Sequence, residues 1–183
     1  MVSSLAIGCM FFSILVIFLL PLGLAIYLYK KERYAPKALL VGALVFIVFQ
    51  LLTRIPLLTV LGTQPWFQRL MSNRFFSAVL IGGLTAGIFE ECGRYLGFRF
   101  FLKDKLSWGN GVAFGIGHGG IEAVSLVGTA YLNNLAFSLM INNGTYDKVI
   151  GSQLAPETAA LIKEQLINTA PSMFLLGGAE RLF

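Results

Sequence analysis

The chain has 183 residues, of which 56% are hydrophobic and only 13% are charged, and its mean hydropathy is +0.76. A soluble domain carries about 25% charged residues, so the composition excludes an ordinary soluble protein and predicts an integral membrane protein. The net charge of +5 does not indicate nucleic-acid binding, because the basic residues lie in short loops between apolar runs and form no continuous stripe. In a membrane protein such an excess is typical of cytoplasmic loops.

The apolar runs predict four membrane spans in chain order. They cover about residues 5–29, 38–53, 75–102 and 108–140. The first has neither a basic leading region nor a small-residue cleavage site, so it is predicted to be a retained helix, kinked at Pro21. Arg54-Ile55-Pro56 is predicted to end the regular part of the second span, and residues 57–61 are expected to continue to the membrane interface. The fourth is longer than one crossing requires, so we expect it to tilt or to break near Asn133-Asn134.

The polar segments between the spans predict the remaining organisation. Pro65-Trp66-Phe67 is typical of an interfacial anchor, and 156–168 reads as a short amphipathic helix. A fifth apolar segment begins at Pro171 and is too short to cross before the chain stops, so we expect a chain truncated within a span. The prediction is one all-α domain, residues 1–183, forming a polytopic transmembrane helical bundle of four full spans plus the start of a fifth. Because the first and third loops are the most basic, they are predicted to be cytoplasmic and the N-terminus outside, in a multi-pass cell-membrane protein.

The third predicted span contains ionisable residues in the middle of apolar sequence. Glu90 and Arg94 are four residues apart, and Glu91 and Arg94 are three apart, so both carboxylates are predicted to face one guanidinium. Two like charges this close favour protonation of one of them, and such a carboxyl group can act as a general acid or base. Arg54 and Arg99 lie near predicted span ends, where we expect them to extend toward the membrane surface. Cys92, like Cys9, is predicted to be a small apolar filler and not part of a disulfide or metal site.

The fourth predicted span contains the only histidine, His118, and Glu122 one turn beyond it on the same face. Glycines surround His118, and because small residues permit close helix packing in membranes, we expect another helix or a substrate backbone to approach there. Glu90 and His118 lie at equal distances, about 20 Å of helix, from the turn near Asp104. The two side chains are therefore predicted to face each other at one depth, which favours a functional site over a purely structural ion pair. Glu180-Arg181, in the last segment, is a further candidate member of this cluster.

These motifs resemble those of a known group of membrane proteases. Glu90-Glu91 followed by Arg94, and Phe114 followed four residues later by His118, resemble the first two motifs of the CAAX-protease and bacteriocin-processing superfamily. The finer spacing, Glu-Glu-x-x-Arg with Gly-His-Gly-Gly-x-Glu, is most similar to the YhfC family of bacterial membrane peptidases. The resemblance extends from about residue 38 to residue 183.

The resemblance implies a helical bundle that hydrolyses peptide bonds of membrane-embedded or membrane-associated peptides. It assigns water activation to Glu90 with His118, orienting roles to Glu91 and Arg94, and an acidic position to Glu122. It leaves open whether the enzyme is of the glutamate type or a metalloprotease. The spacing from the Glu pair to the arginine is one residue shorter than in the CAAX enzymes, and the second histidine of their third motif is expected beyond residue 183.

A divalent metal such as zinc is a possible cofactor under this resemblance. Catalytic zinc takes three protein ligands, and His118, Glu90 and Glu122 are the candidate set. With one histidine in the chain and that second histidine expected beyond its end, we expect the chain as given to be inactive.

Two other functions use the same residues. A proton- or ion-coupled transporter would employ the intramembrane charges as a relay, although the sequence shows no inverted repeat. A non-catalytic membrane scaffold would keep them for packing, and would tolerate their replacement by apolar residues of similar volume. The partners predicted under the protease hypothesis are a membrane peptide or protein substrate and the lipid bilayer.

Overall fold

The computed structural model describes residues 1–32 and 36–179, and within these ranges the chain is helical without a β-strand. The all-α prediction is confirmed. We number the helices in chain order: α1 Ser4–Glu32, α2 Pro36–Gly62, α3 Pro65–Met71, α4 Phe75–Phe101, α5 Trp108–Asn143, α6 Tyr146–Val149, α7 Pro156–Asn168 and α8 Pro171–Ala179.

Four helices, α1, α2, α4 and α5, are long and apolar enough to cross a membrane. The four predicted spans are therefore confirmed, and the protein is a multi-pass membrane protein. The short helix predicted over 156–168 is also present as α7, which buries Ala159 and Leu166. In α3, Trp66 is exposed whereas its neighbour Phe67 is buried, so only Trp66 is available as an interfacial anchor.

The prediction that the regular helix ends at Arg54-Ile55-Pro56 is wrong, because α2 continues through Pro56 as an α-helix to Gly62. The turns before Pro56, Ile47–Arg54, are π-helical, and the amide of Ile55 donates to the carbonyl of Gln50, five residues earlier. We attribute the continuity to these wider turns, which give the proline ring room against the preceding carbonyls.

Of the two alternatives for the fourth span, the break at Asn133-Asn134 is not observed, and the tilt remains a prediction. The irregular turns lie earlier, at Ala123–Gly128, where the helix is π-helical, and a regular helix then runs through the asparagines to Asn143. The helix ends at Gly144, whose left-handed backbone (φ 77°) lets its amide bond back to the last carbonyls.

The described chain divides into two compact units, which we call the terminal unit and the central unit. The terminal unit comprises Met1–Leu22 and the described residues from Ala123 onward, and the central unit is Gly23–Glu122. The core of the terminal unit includes Met10, Ile17 and Tyr146. The core of the central unit includes Val41, Val45 and Phe114. The single-domain boundary remains a prediction.

The central unit depends on a close approach of α2 to the first part of α5. A Cβ atom at Gly42 would overlap the carbonyl oxygen of Phe114, and a Cβ at Gly117 would overlap that of Leu39. Backbone atoms cannot move aside as a flexible side chain can, so only glycine fits at these two positions. The glycines thus confirm that another helix, α2, packs beside His118.

Candidate intramembrane active site

The predicted charge cluster on α4 is present. A single nitrogen of Arg94, Nη2, lies 3.1 Å from Glu90 Oε2 and 3.1 Å from Glu91 Oε1. The Glu90 side chain is 25% exposed and that of Glu91 is 69% exposed. Glu90 is therefore the carboxylate directed into the central unit, whereas Glu91 lies at its surface.

The other oxygen of Glu90 contacts a residue that sequence analysis missed. Gln50, on α2, is 3% exposed and its Nε2 donates a hydrogen bond of 3.0 Å to Glu90 Oε1. Gln50 Oε1 in turn accepts one of 3.2 Å from Arg54 Nη1. The sequence did contain one signal for Gln50: it and Arg54 are polar side chains four residues apart in an apolar span, so they share one face of the helix.

The expectation that Arg54 extends to the membrane surface is wrong. Its guanidinium turns toward α4, where Nε donates to Thr85 Oγ1 at 3.0 Å and Nη2 donates to the carbonyls of Ile81 and Gly82 at 3.1 and 3.0 Å. Those carbonyls lie in a π-helical part of α4. Because the guanidinium has several hydrogen-bond acceptors on α4, placing its charge there costs less free energy than placing an isolated charge would. Arg54 thus joins α2 to α4.

His118 is buried in the central unit, with 8% of its surface exposed. Phe46 of α2 contacts its ring edge-on, with centroids 5.3 Å apart, and Phe114 stacks at 6.1 Å. The backbone of Gly42 approaches the ring. Among the described residues, however, neither Nδ1 nor Nε2 makes a hydrogen bond of normal geometry. Even with Gly42 beside the ring, at least one buried ring nitrogen has no partner, which costs free energy and calls for an explanation.

Glu90 and His118 both contact the same helix, α2. Gln50 contacts Glu90 and Phe46 contacts His118, and these two α2 residues are four apart, or about one turn. The imidazole is also close enough to Glu90, Arg94 and Glu91 to interact electrostatically with their charges. Direct pairing of Glu90 with His118 remains a prediction.

Of the other predicted residues, those that the structure describes are not in contact with one another in a single group. Glu122 is half-buried one turn beyond His118, at the end of the central unit, and its role remains a prediction. Cys92 is exposed and Cys9 is half-buried, both as free thiols. The Glu180-Arg181 pair lies outside the described residues.

A model described as YhfC intramembrane metalloprotease matches residues 16–183. The chain belongs to the YhfC family. An uncharacterized membrane protein YhfC of Bacillus subtilis (strain 168) is 37% identical over 183 residues, which cover 100% of this chain and 70% of that protein. No solved structure matches the chain.

The YhfC resemblance is therefore confirmed, whereas placement in the CAAX superfamily remains a prediction. The family description implies a protease and a metal. Of the candidate ligands, His118 fits a metal in kind, because imidazole is a common zinc ligand and at least one of its ring nitrogens is without a protein partner. Across residues 1–32 and 36–179, however, no group of three His, Cys, Asp or Glu side chains gathers as a metal site. The described residues do not complete the three-ligand set of a catalytic zinc, and the proposed set of His118, Glu90 and Glu122 remains a prediction.

Proposed function

We propose that this YhfC-family protein is an intramembrane peptidase of the cell membrane. It hydrolyses peptide bonds of membrane-embedded or membrane-associated peptides, with water activated by Glu90 and His118. One observation carries the proposal: a buried imidazole, with at least one ring nitrogen without a partner, contacts α2 one turn from the residue that donates a hydrogen bond to the Glu90 carboxylate. A buried ring nitrogen that served packing alone would be expected to have a hydrogen-bond partner.

In the proposed reaction, a water molecule between the two side chains gives a proton to Glu90 as its oxygen attacks the scissile carbonyl carbon. Glu90 then returns the proton to the departing amine as the C–N bond breaks. His118 orients the water through a ring nitrogen. Arg94 Nε, which is buried without a partner among the described side chains, supplies an N–H near the developing oxyanion. Glu90, His118 and Arg94 thus supply the base, the group that orients the water and the oxyanion donor of the proposed reaction.

The test compares E90Q and H118A with the wild-type protein in the membranes of producing cells. New peptide ends in those membranes are mapped by mass spectrometry. We expect both variants to lose the ends that wild-type protein generates, because each removes one of the two groups that activate water. C92A and G119A are the matched controls: Cys92 is exposed on the same helix as Glu90, and a Cβ at Gly119 beside His118 meets no atom within 4 Å. Processing that persists in both E90Q and H118A would refute the proposal.

Chelation separates the two catalytic types. Loss of processing in a zinc chelator, reversed by added zinc, would support the metal-dependent type that the family description implies. Processing that is insensitive to the chelator would support the glutamate type. Metal analysis of wild-type protein and H118A shows whether the histidine contributes to any bound metal.

A further inference from the structure

Gln50 occupies an unusual position for an uncharged side chain in a membrane span. It lies near the middle of α2, is 3% exposed, and its amide is placed between a cation and an anion. Its Nε2 faces Glu90 at 3.0 Å and its Oε1 faces Arg54 at 3.2 Å. A guanidinium only donates hydrogen bonds and an ionised carboxylate only accepts them, so the two neighbours together determine which end of the amide faces each.

We propose that Gln50, oriented by Arg54, is the positioning residue that fixes the Glu90 carboxylate for hydrolysis. This inference rests on the proposed function and names a residue that the family motifs do not contain. Arg54 suits the anchoring role because it is bound to α4 through Thr85 and two backbone carbonyls. Arg54 therefore orients Gln50, and Gln50 in turn positions the Glu90 carboxylate.

The geometry explains how an amide can matter to a neighbouring carboxylate. Glu90 Oε1 accepts from Gln50 on α2, and Oε2 accepts from Arg94 on its own helix. Donors on both oxygens, from two different helices, restrict rotation of the carboxylate plane. A carboxylate offers about four lone-pair sites, so each oxygen keeps one for water. Without Gln50 the carboxylate could rotate about its terminal torsion, and the lone pair would no longer be directed at the water.

The first experiment replaces Gln50 with methionine, which has similar volume but neither donates to Glu90 nor accepts from Arg54. The substrate is a quenched-fluorescent peptide with an apolar span of about 20 residues, reconstituted with the protein in phospholipid vesicles. We expect kcat to fall about 10- to 100-fold, the range for loss of a hydrogen bond to a charged group, with KM unchanged. Q68M, which makes the same change at an exposed glutamine of α3, should leave both constants unchanged.

The second experiment tests the order of action with a double-mutant cycle. If Arg54 acts through Gln50, R54M should lower kcat less than Q50M, and the double variant Q50M/R54M should be no slower than Q50M alone. Additive losses in the double variant would overturn the proposed order. Where Q50M or R54M does not fold, Q50N keeps the amide but shortens it by one methylene, and it should also lower kcat without raising KM.

The outcomes separate this inference from the function on which it rests. If E90Q and H118A abolish hydrolysis but Q50M and Q50N keep wild-type kcat, the positioning role is wrong and the peptidase stands. If E90Q and H118A keep hydrolysis, the proposed function itself fails. A fall in thermal stability of Q50M with kcat unchanged would assign Gln50 to packing alone and would overturn the inference.

Discussion

The buried polar groups of the two units have different kinds of hydrogen-bond partner. In the terminal unit, buried hydroxyls donate to backbone carbonyls: Ser13 and Tyr131 both donate to the carbonyl of Phe174, at 2.9 and 2.6 Å, and Tyr146 donates to that of Ala159 at 3.0 Å. In the central unit, buried Asn110 also donates to a backbone carbonyl, that of Lys105 at 2.8 Å. Buried Gln50, however, contacts the charged side chains of Glu90 and Arg54. The terminal unit does contain an ion pair, Lys163–Asp147, but it lies outside the spans and the Asp147 side chain is 74% exposed.

The difference indicates what each arrangement is for. A neutral hydroxyl on a carbonyl costs little in an apolar medium and joins two segments, so the terminal pattern is structural. A charge at mid-membrane costs at least about 2.5 kcal/mol. The central unit nevertheless places Glu90 within a candidate span and leaves at least one ring nitrogen of His118 and Nε of Arg94 without partners. The proposed function would account for that cost.

The largest expected effect comes from removing the shared cation of the central unit. R94M leaves Glu90 and Glu91 adjacent without the guanidinium that binds both at 3.1 Å, and it removes the N–H proposed for the oxyanion. We expect hydrolysis to fall about 100-fold or more, measured with the vesicle assay. R99M is the matched control, since Arg99 is an exposed arginine on the same helix. Wild-type rates in R94M would show that the ionic cluster serves packing, as the terminal hydroxyls do.

The next effect tests the packing that supports the cluster. In G117A the new Cβ would overlap the carbonyl oxygen of Leu39, so α2 must move away from α5. Overpacking of this kind costs about 1–3 kcal/mol, and we expect the free energy of unfolding in mixed micelles to fall by that amount. G119A, two residues away, meets nothing within 4 Å and should be neutral or slightly stabilising. Equal stability of the two variants would contradict the close approach.

The sequence predicted the four spans and the Glu90–Arg94–Glu91 contacts because both follow from local rules: apolar length and helical periodicity. It could not predict Gln50 as a partner of Glu90, because that contact joins residues 40 positions apart and depends on how α2 packs on α4. Arg54 was misassigned for the same reason. Its position near a predicted span end favoured the membrane surface, but continuation of α2 past Pro56 left it inside the span. Local rules thus identified the charged residues, and tertiary packing determined their partners.

The smallest expected effect lies in the terminal unit, where two hydroxyls share one acceptor. S13A or Y131F alone leaves the Phe174 carbonyl with the other donor, so each should lower the free energy of unfolding by about 0.6 kcal/mol, the average for a hydrogen bond in a membrane. The double variant removes both donors to a buried carbonyl and should lose about 2–3 kcal/mol, more than the sum of the singles. Because the contacts are structural, hydrolysis by the folded fraction should be unchanged in all three variants. A loss of hydrolysis in a single variant of normal stability would show that the terminal unit also takes part in the reaction.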